Sequence, residues 1–189
     1  MKTTISSFCT IISALGLVMT AHAADERQHQ TEPITNAVAV IFPTQASNSK
    51  VAGIVMLKQE KGYVQVTGQV TGLTPGKHGF HIHMFGDVSA PDGTSAGGHY
   101  NPLGHPHGGP DSKQRHEGDL GNIEANARGV AKVNARANHV ELHDIIGRSI
   151  VVHGGVDDLK SQPSGNAGPR VGIGVIGLAE TKTTTAAKQ

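Results

Sequence analysis

The feature that most constrains the fold is a rhythm of short β-type runs broken by turns. Eight follow one another: NAVAVIF from residue 36, VAGIVMLKQ from 51, YVQVTGQVTGL from 63, HGFHIHMF from 78, EGDLGNIEA from 117, GVAKVNA from 129, GRSIVVHG from 147 and VGIGVIGLA from 171. Each is rich in β-branched or apolar residues and bounded by turn formers, and no stretch carries the 3.6-residue periodicity of an amphipathic helix. About eight short strands at this spacing predict an all-β sandwich or barrel. With 25 Gly, no Trp and 3% aromatic residues in 189, the core is modest and one domain accommodates it.

The first 23 residues stand apart. Lys2, an apolar stretch over residues 11–19 and the small-x-small step Ala21-His22-Ala23 read as a secretory signal peptide cleaved after Ala23, too short in its apolar part to span a bilayer. Its removal takes away Cys9, the only cysteine, so the exported chain carries no disulfide and no thiol chemistry. Losing Lys2 also leaves 15 basic against 15 acidic residues. A balanced charge argues against nucleic acid or a membrane surface as partner. A short signal with one lysine reads as bacterial, and the periplasm is preferred to full secretion. Residues 24–35 are polar and unpatterned, a mobile arm by this reading, and 181–189 read as a flexible tail, which leaves 36–180 as the folded domain.

Two stretches, 87–115 and 154–169, break the strand rhythm and are dense in Gly, Pro, Asp, Ser and Asn. Loops this long inside a small domain are functional or disordered, and the histidines decide between the two. In HGFHIHMF the strand alternation puts His81, His83 and Phe85 on one face and Phe80, Ile82 and Met84 on the other, so one face is core while the other presents nitrogen. Six of the twelve histidines, His81, His83, His99, His107, His116 and His153, join Asp119 in a pattern H-x-H-x(15)-H-x(7)-H-x(8)-H-x(2)-D followed by a distant VVH. Imidazole suits copper and zinc, and three imidazoles beside a carboxylate suit zinc better than copper(I). The inventory fills two metal sites if one histidine serves both. Any one of these residues alone reads as an ordinary hydrogen-bonded histidine or turn aspartate. His22, His29, His78, His105, His139 and His143 stay under that reading, His105 the least securely because HPH puts it two residues from a candidate ligand.

Taken together, HGFHIHMFGD, TSAGGHYNPLGHPHGGP, RHEGDLGNI, IIGRSIVVHGGVDDL and GNAGPRVGIGVIGLA resemble the copper/zinc superoxide dismutase family, with a weaker match from Ala37 onwards. The resemblance implies an eight-stranded antiparallel Greek-key β-barrel or sandwich with two long functional loops. It implies that His81, His83, His99 and His153 hold copper and that His99, His107, His116 and Asp119 hold zinc, with His99 as the bridge. It further implies that Arg170 docks the superoxide anion, that His99 takes up a proton for the leaving peroxide, and that Asp157 links a copper histidine to a zinc histidine. Asp158, next to it, is the competing assignment. Three copper ligands would then sit on strands while the zinc ligands come from a loop, and zinc would serve to order that loop.

Two departures from the family pattern stand out. Where the family has its disulfide cysteines, this chain has Gly93 and Ile173. A bridge closing so long a loop is worth about 2–4 kcal/mol, so metals should carry more of the stability here. The loop KSQPSGNAG is also shorter than in animal and plant members and lacks their charged stretch, which weakens long-range steering. A non-catalytic extracytoplasmic copper or zinc buffer is the alternative function. Oligomeric state stays open between monomer and homodimer, with the dimer preferred.

Overall fold

Period-two alternation produces a closed barrel, one of the two architectures that the runs predict. The computed structural model describes residues 33–180, so the signal segment, the arm up to residue 32 and the tail 181–189 lie outside the described residues. The strands are β1 (Asn36–Pro43), β2 (Ala52–Glu60), β3 (Tyr63–Thr71), β4 (Gly76–His83), β5 (Asp119–Ala125), β6 (Ala131–Asn138), β7 (Ser149–His153) and β8 (Arg170–Leu178). All pairings are antiparallel, and the order β1-β2-β3-β6-β5-β4-β7-β8 closes on itself. Strand β3 is followed in the barrel by β6 and β4 by β7, so the chain crosses twice rather than running up and down. Closure leaves no edge strand to template aggregation. Among the described residues the one α-helix, α1 (Leu142–Ile145), is a single turn.

Inward positions are mostly small or β-branched, with Leu57 and Phe80 the larger exceptions. Ala37, Ala39 and Ile41 of β1, Val55 and Leu57 of β2, Val64 and Val66 of β3, Phe80 and Ile82 of β4, and Ile150 and Val152 of β7 form one core. Small residues suit a closed barrel, whose interior narrows as strands twist around it. Val151, on the opposite face of β7, packs with Ala96 and Ile173 in a separate apolar cluster. Ile173 is one of the two positions where the family would place a cysteine, so apolar packing stands where a covalent bond would.

Two long connections, 84–118 between β4 and β5 and 154–169 between β7 and β8, cover the outer face of β4. The first folds back on the end of its own strand: Met84 N–H donates to Gly98 O (2.9 Å) and Phe85 N–H to Ala96 O (3.0 Å). That return puts His99 opposite His83 in an isolated bridge. Tyr100 N–H then donates to Ile82 O (2.8 Å), and Gly118 N–H to Tyr100 O (2.9 Å). Gly118 is required here, since a Cβ would lie 2.2 Å from Ile82 O. The fifteen residues between His83 and His99 are thus the length of an out-and-back excursion.

Candidate metal centre

Strand β4 supplies the first two imidazoles. Phe80 and Ile82 point into the barrel as alternation requires, but the opposite face is not open to water: His81 is 0% exposed and His83 1%. The face that alternation assigns to nitrogen is a second buried interior, roofed by the loops. Phe85 does not continue that face, because β4 ends at His83 and Phe85 is exposed. His153 closes β7 next to a register shift between Val152 and His153. Its ring stands 5.1 Å from that of His81 and 5.6 Å from that of His83, centroid to centroid.

Two donor sets result, His81, His83, His99 and His153, and His99, His107, His116 and Asp119, all eight places buried and His99 common to both. The second set is not wholly a loop product as the sequence reading had it: Asp119 is the first residue of β5, paired with His81 of β4. His105 joins neither set. Its Nδ1 faces Arg115 O at 3.3 Å and lies 4.0 Å from Glu117 Oε1.

Four of the six rings are oriented from behind. His81 Nε2 is bonded to Asp157 Oδ2 (2.8 Å), His107 Nε2 to Asp157 Oδ1 (2.9 Å), His83 Nδ1 to Gly97 O (2.9 Å) and His153 Nδ1 to Gly168 O (3.1 Å). Such bonds fix which ring nitrogen faces inward. Asp157, not Asp158, is therefore the carboxylate that ties the two donor sets together. Asp158 is exposed and organises its own turn through Lys160 N–H, Ser161 N–H and the Ser161 hydroxyl.

The inward nitrogens test whether metals fit. Among the described residues five buried side-chain polar atoms lack a hydrogen-bond partner, and four are His81 Nδ1, His99 Nε2, His107 Nδ1 and His116 Nδ1. Unpartnered buried polar atoms are rare in native proteins and call for a ligand. The Nδ1 atoms of His99, His107 and His116 lie 2.7, 3.0 and 3.2 Å from Asp119 Oδ1. Ligands 2.0–2.1 Å from a tetrahedral zinc are about 3.3 Å apart, so three imidazoles and a carboxylate stand close to the spacing zinc needs. In the other set His83 Nε2 and His153 Nε2 face each other at 3.4 Å, two nitrogens that metal-free chemistry pairs poorly. Four imidazoles and no thiolate suit copper.

Protonation favours the same reading. Burial, reinforced by neighbouring imidazoles, holds His83 well below the ordinary histidine range, His99 down to about 4 and His153 down to about 3. Neutral imidazole is the form a metal binds. For His107, burial pushes downward but the carboxylates of Asp119 and Asp157 on either side of the ring outweigh it and raise it to about 9. Asp119 and Asp157 are held below the usual carboxylate range, because their imidazole partners overcome the burial that would raise them.

His83, His99, His116 and His153 face a cleft of about 420 Å³ whose rim includes Pro163, Ser164 and Arg170. Arg170 opens β8 and is half-buried; its guanidinium donates to Gly93 O and to Gly97 O (2.6 Å). Burial lowers its pKa from a value so high that it stays charged. Thr44 Oγ1 donates to Arg170 O (2.6 Å), fixing its backbone. Sequence reading missed Thr44. It also left His78 unassigned, although His78 bonds His153 O (2.8 Å) through Nδ1 and Thr74 O (2.8 Å) through Nε2. Asn122 was missed too: its amide accepts from Asp157 N–H and donates to Asp157 O, both at 2.9 Å. No local motif marks these three, since each acts on a residue at least 35 positions away.

Comparison with known proteins agrees with this geometry. The family model described as copper/zinc superoxide dismutase matches residues 51–176. The extracellular copper/zinc superoxide dismutase of Onchocerca volvulus is 40% identical over 190 residues, covering 92% of this chain and 94% of its own. Copper/zinc superoxide dismutase 3 of Arabidopsis thaliana is 46% identical over 153 residues, 75% of this chain and 90% of its own. The extracellular copper/zinc enzyme of Brugia pahangi is 40% identical over 159 residues, 77% and 79% of the two chains. With a barrel, two donor sets sharing one imidazole, a family model matching two thirds of the chain and relatives matched over most of their lengths, the chain belongs to the copper/zinc superoxide dismutase family.

Proposed function

We propose that this protein converts superoxide to dioxygen and peroxide, with copper held by His81, His83, His99 and His153 and zinc by His99, His107, His116 and Asp119. The observation that carries the assignment is the pair of buried donor sets sharing His99 at the floor of a cleft that Arg170 overlooks. Copper held by these residues would supply the one-electron chemistry that oxidises one superoxide and reduces a second, and zinc would supply none. Arg170 attracts the anion and presents planar N–H donors to it. Its bonds to Gly93 O and Gly97 O keep the guanidinium from swinging away. With Nδ1 of His99 turned to Asp119, its buried Nε2 is the atom that faces the copper donor set, and when copper is not bound to it that nitrogen would take up a proton and give it to the departing peroxide. Asp157 keeps His81 and His107 in register so that neither donor set shifts without the other.

The domain plan belongs to the same proposal: residues 1–23 direct export, 24–35 form an arm, 36–180 are the enzyme and 181–189 a tail. Extracellular relatives support export, and the periplasm is the preferred destination. Nucleic acid and membrane have no part in this reading, because the exported chain is charge-balanced. A homodimer is proposed through the outer face of β1 and β8. There Val40, Phe42 (62% exposed), Val88 and Val175 surround an apolar hollow of about 470 Å³. Contiguous exposed apolar surface of this kind marks an interaction site. Sedimentation should give a dimer, and Phe42→Glu a monomer.

The deciding experiment measures superoxide consumption per copper by residues 24–189, with both metals counted on the same sample. Rapid turnover with about one copper and one zinc per chain is expected. Both metals bound without turnover would make the protein a metal buffer instead. In His153→Ala, copper and activity should be lost with the fold retained; full activity would refute the copper assignment.

A further inference from the structure

The loop between β7 and β8 does more than roof the cleft. Gln162 is an exposed residue whose amide turns inward and makes a two-point bond to the main chain of His107: His107 N–H donates to Gln162 Oε1 (2.8 Å) and Gln162 Nε2 donates to His107 O (2.9 Å). The second amide hydrogen goes to Lys160 O (3.1 Å), so the group is fully engaged. The turn that presents it is self-supporting. Asp158 accepts from Lys160 N–H, Ser161 N–H, the Ser161 hydroxyl and the Asn166 amide, and Gly165 N–H donates to Ser161 O (2.7 Å). On the other side of the same stretch Asn101 grips His105 in the same two-point manner (2.9 and 3.0 Å). The segment His105-Pro106-His107 is thus fastened at both ends, with Pro106 between them offering no N–H of its own.

We infer that Gln162 is a positioning residue for zinc: it sets the place of the His107 backbone, as Asp157 sets the His107 ring, and thereby holds the zinc donor set closed in a chain without a disulfide. The inference rests on the zinc reading of His107 proposed above. Its physical basis is that the ring can meet Asp119 Oδ1 at 3.0 Å only if its Cα is fixed relative to β5, and the loop carrying it has few apolar anchors. Hydrogen-bonding groups one step behind a metal ligand typically change affinity 10–100-fold when removed.

The test uses fully loaded protein and two variants, Gln162→Ala and Gln162→Glu. The second keeps the side-chain length and the acceptor for His107 N–H but replaces the donor to His107 O with a carboxylate oxygen. Zinc release to excess chelator should quicken about 10-fold or more in both. Cobalt(II) placed at the zinc site should show altered visible bands, and melting of the metal-free protein should stay as in the parent. Unchanged release and cobalt spectra would overturn the inference, and so would a metal-free melting temperature that falls as far as the loaded one, which marks a merely structural contact. His107→Ala, run alongside, separates the two levels. If it too binds cobalt as the parent does, the zinc reading itself fails; if it loses cobalt while the Gln162 variants do not, only the role of Gln162 fails.

Discussion

Gly165→Ala tests how closely the second loop is fitted over the metal centre. Gly165 sits at φ +69°, in the left-handed region, and a Cβ there would lie 1.8 Å from Asp157 Oδ1, 2.7 Å from the Asp157 carboxyl carbon and 2.7 Å from His107 Nε2. Since real Cβ contacts do not fall below 3.0 Å, loop and carboxylate must part by more than about 1 Å. The Asp157 bonds to His107 and His81, at 2.9 and 2.8 Å, do not survive such a shift. Placing alanine in the left-handed region costs about 1–2 kcal/mol, and each lost bond to a charged group about 1.5–3 kcal/mol. A loss of about 4–8 kcal/mol follows, or roughly 10–30 °C in melting temperature for a domain of this size. Calorimetry of the loaded variant, with copper and zinc counted before and after dialysis, is the assay. Both metals should fall together, because one carboxylate steadies a ligand of each. Melting within a degree of the parent at full occupancy would refute the reasoning.

Three further perturbations follow from the same geometry. Arg170→Ala should slow superoxide consumption about 10–100-fold with copper content unchanged, and Arg170→Lys should fall between; an unaltered rate would remove Arg170 from anion docking. Asp119→Ala should lower zinc occupancy and melting temperature more than the rate per copper, and normal zinc content by elemental analysis would contradict the zinc set. For the metal-free protein, His99 and His153 have folded pKa values of about 4 and about 3, below the unfolded value near 6.5. The unfolded chain therefore takes up protons first as pH falls, and stability declines below pH 6.5, by about 3 kcal/mol from His99 alone once pH reaches about 4. Asp119 and Asp157, with lowered pKa, add to the loss at still lower pH. His107, raised to about 9, acts in the other direction: its contribution is complete below pH 6.5 and lost as pH rises through 9. A flat melting temperature between pH 6.5 and 4.5 in the presence of chelator would show that these rings are not buried neutral.

Donor chemistry is written in residue identity, and that is why the centre is legible in the sequence. Imidazoles and a carboxylate at fixed spacing offer donors for two metals that share one ligand. Period-two alternation likewise assigns Phe80 and Ile82 to the core and His81 and His83 to the other face, because the pleat leaves no choice. Eight runs and their turns announce the barrel. What the one-dimensional pattern lacks is distance through space. It could not say that the histidine face is buried, because the residues that roof it lie in loops whose course depends on bonds such as Tyr100 N–H to Ile82 O. It could not choose between Asp157 and Asp158 by burial, nor find His78 behind His153 or Asn122 behind Asp157, since those pairings span 75 and 35 residues. Nor could it foresee that Ile173 would pack with Ala96 and Val151, or that the Gln162 amide would reach His107 across 55 residues. The sequence alone determined which residues offer metal-binding groups and which faces they share, because side-chain chemistry and backbone period are local. Only the tertiary structure decided what holds those atoms still, because hydrogen bonds between distant loops exist only once the barrel has closed.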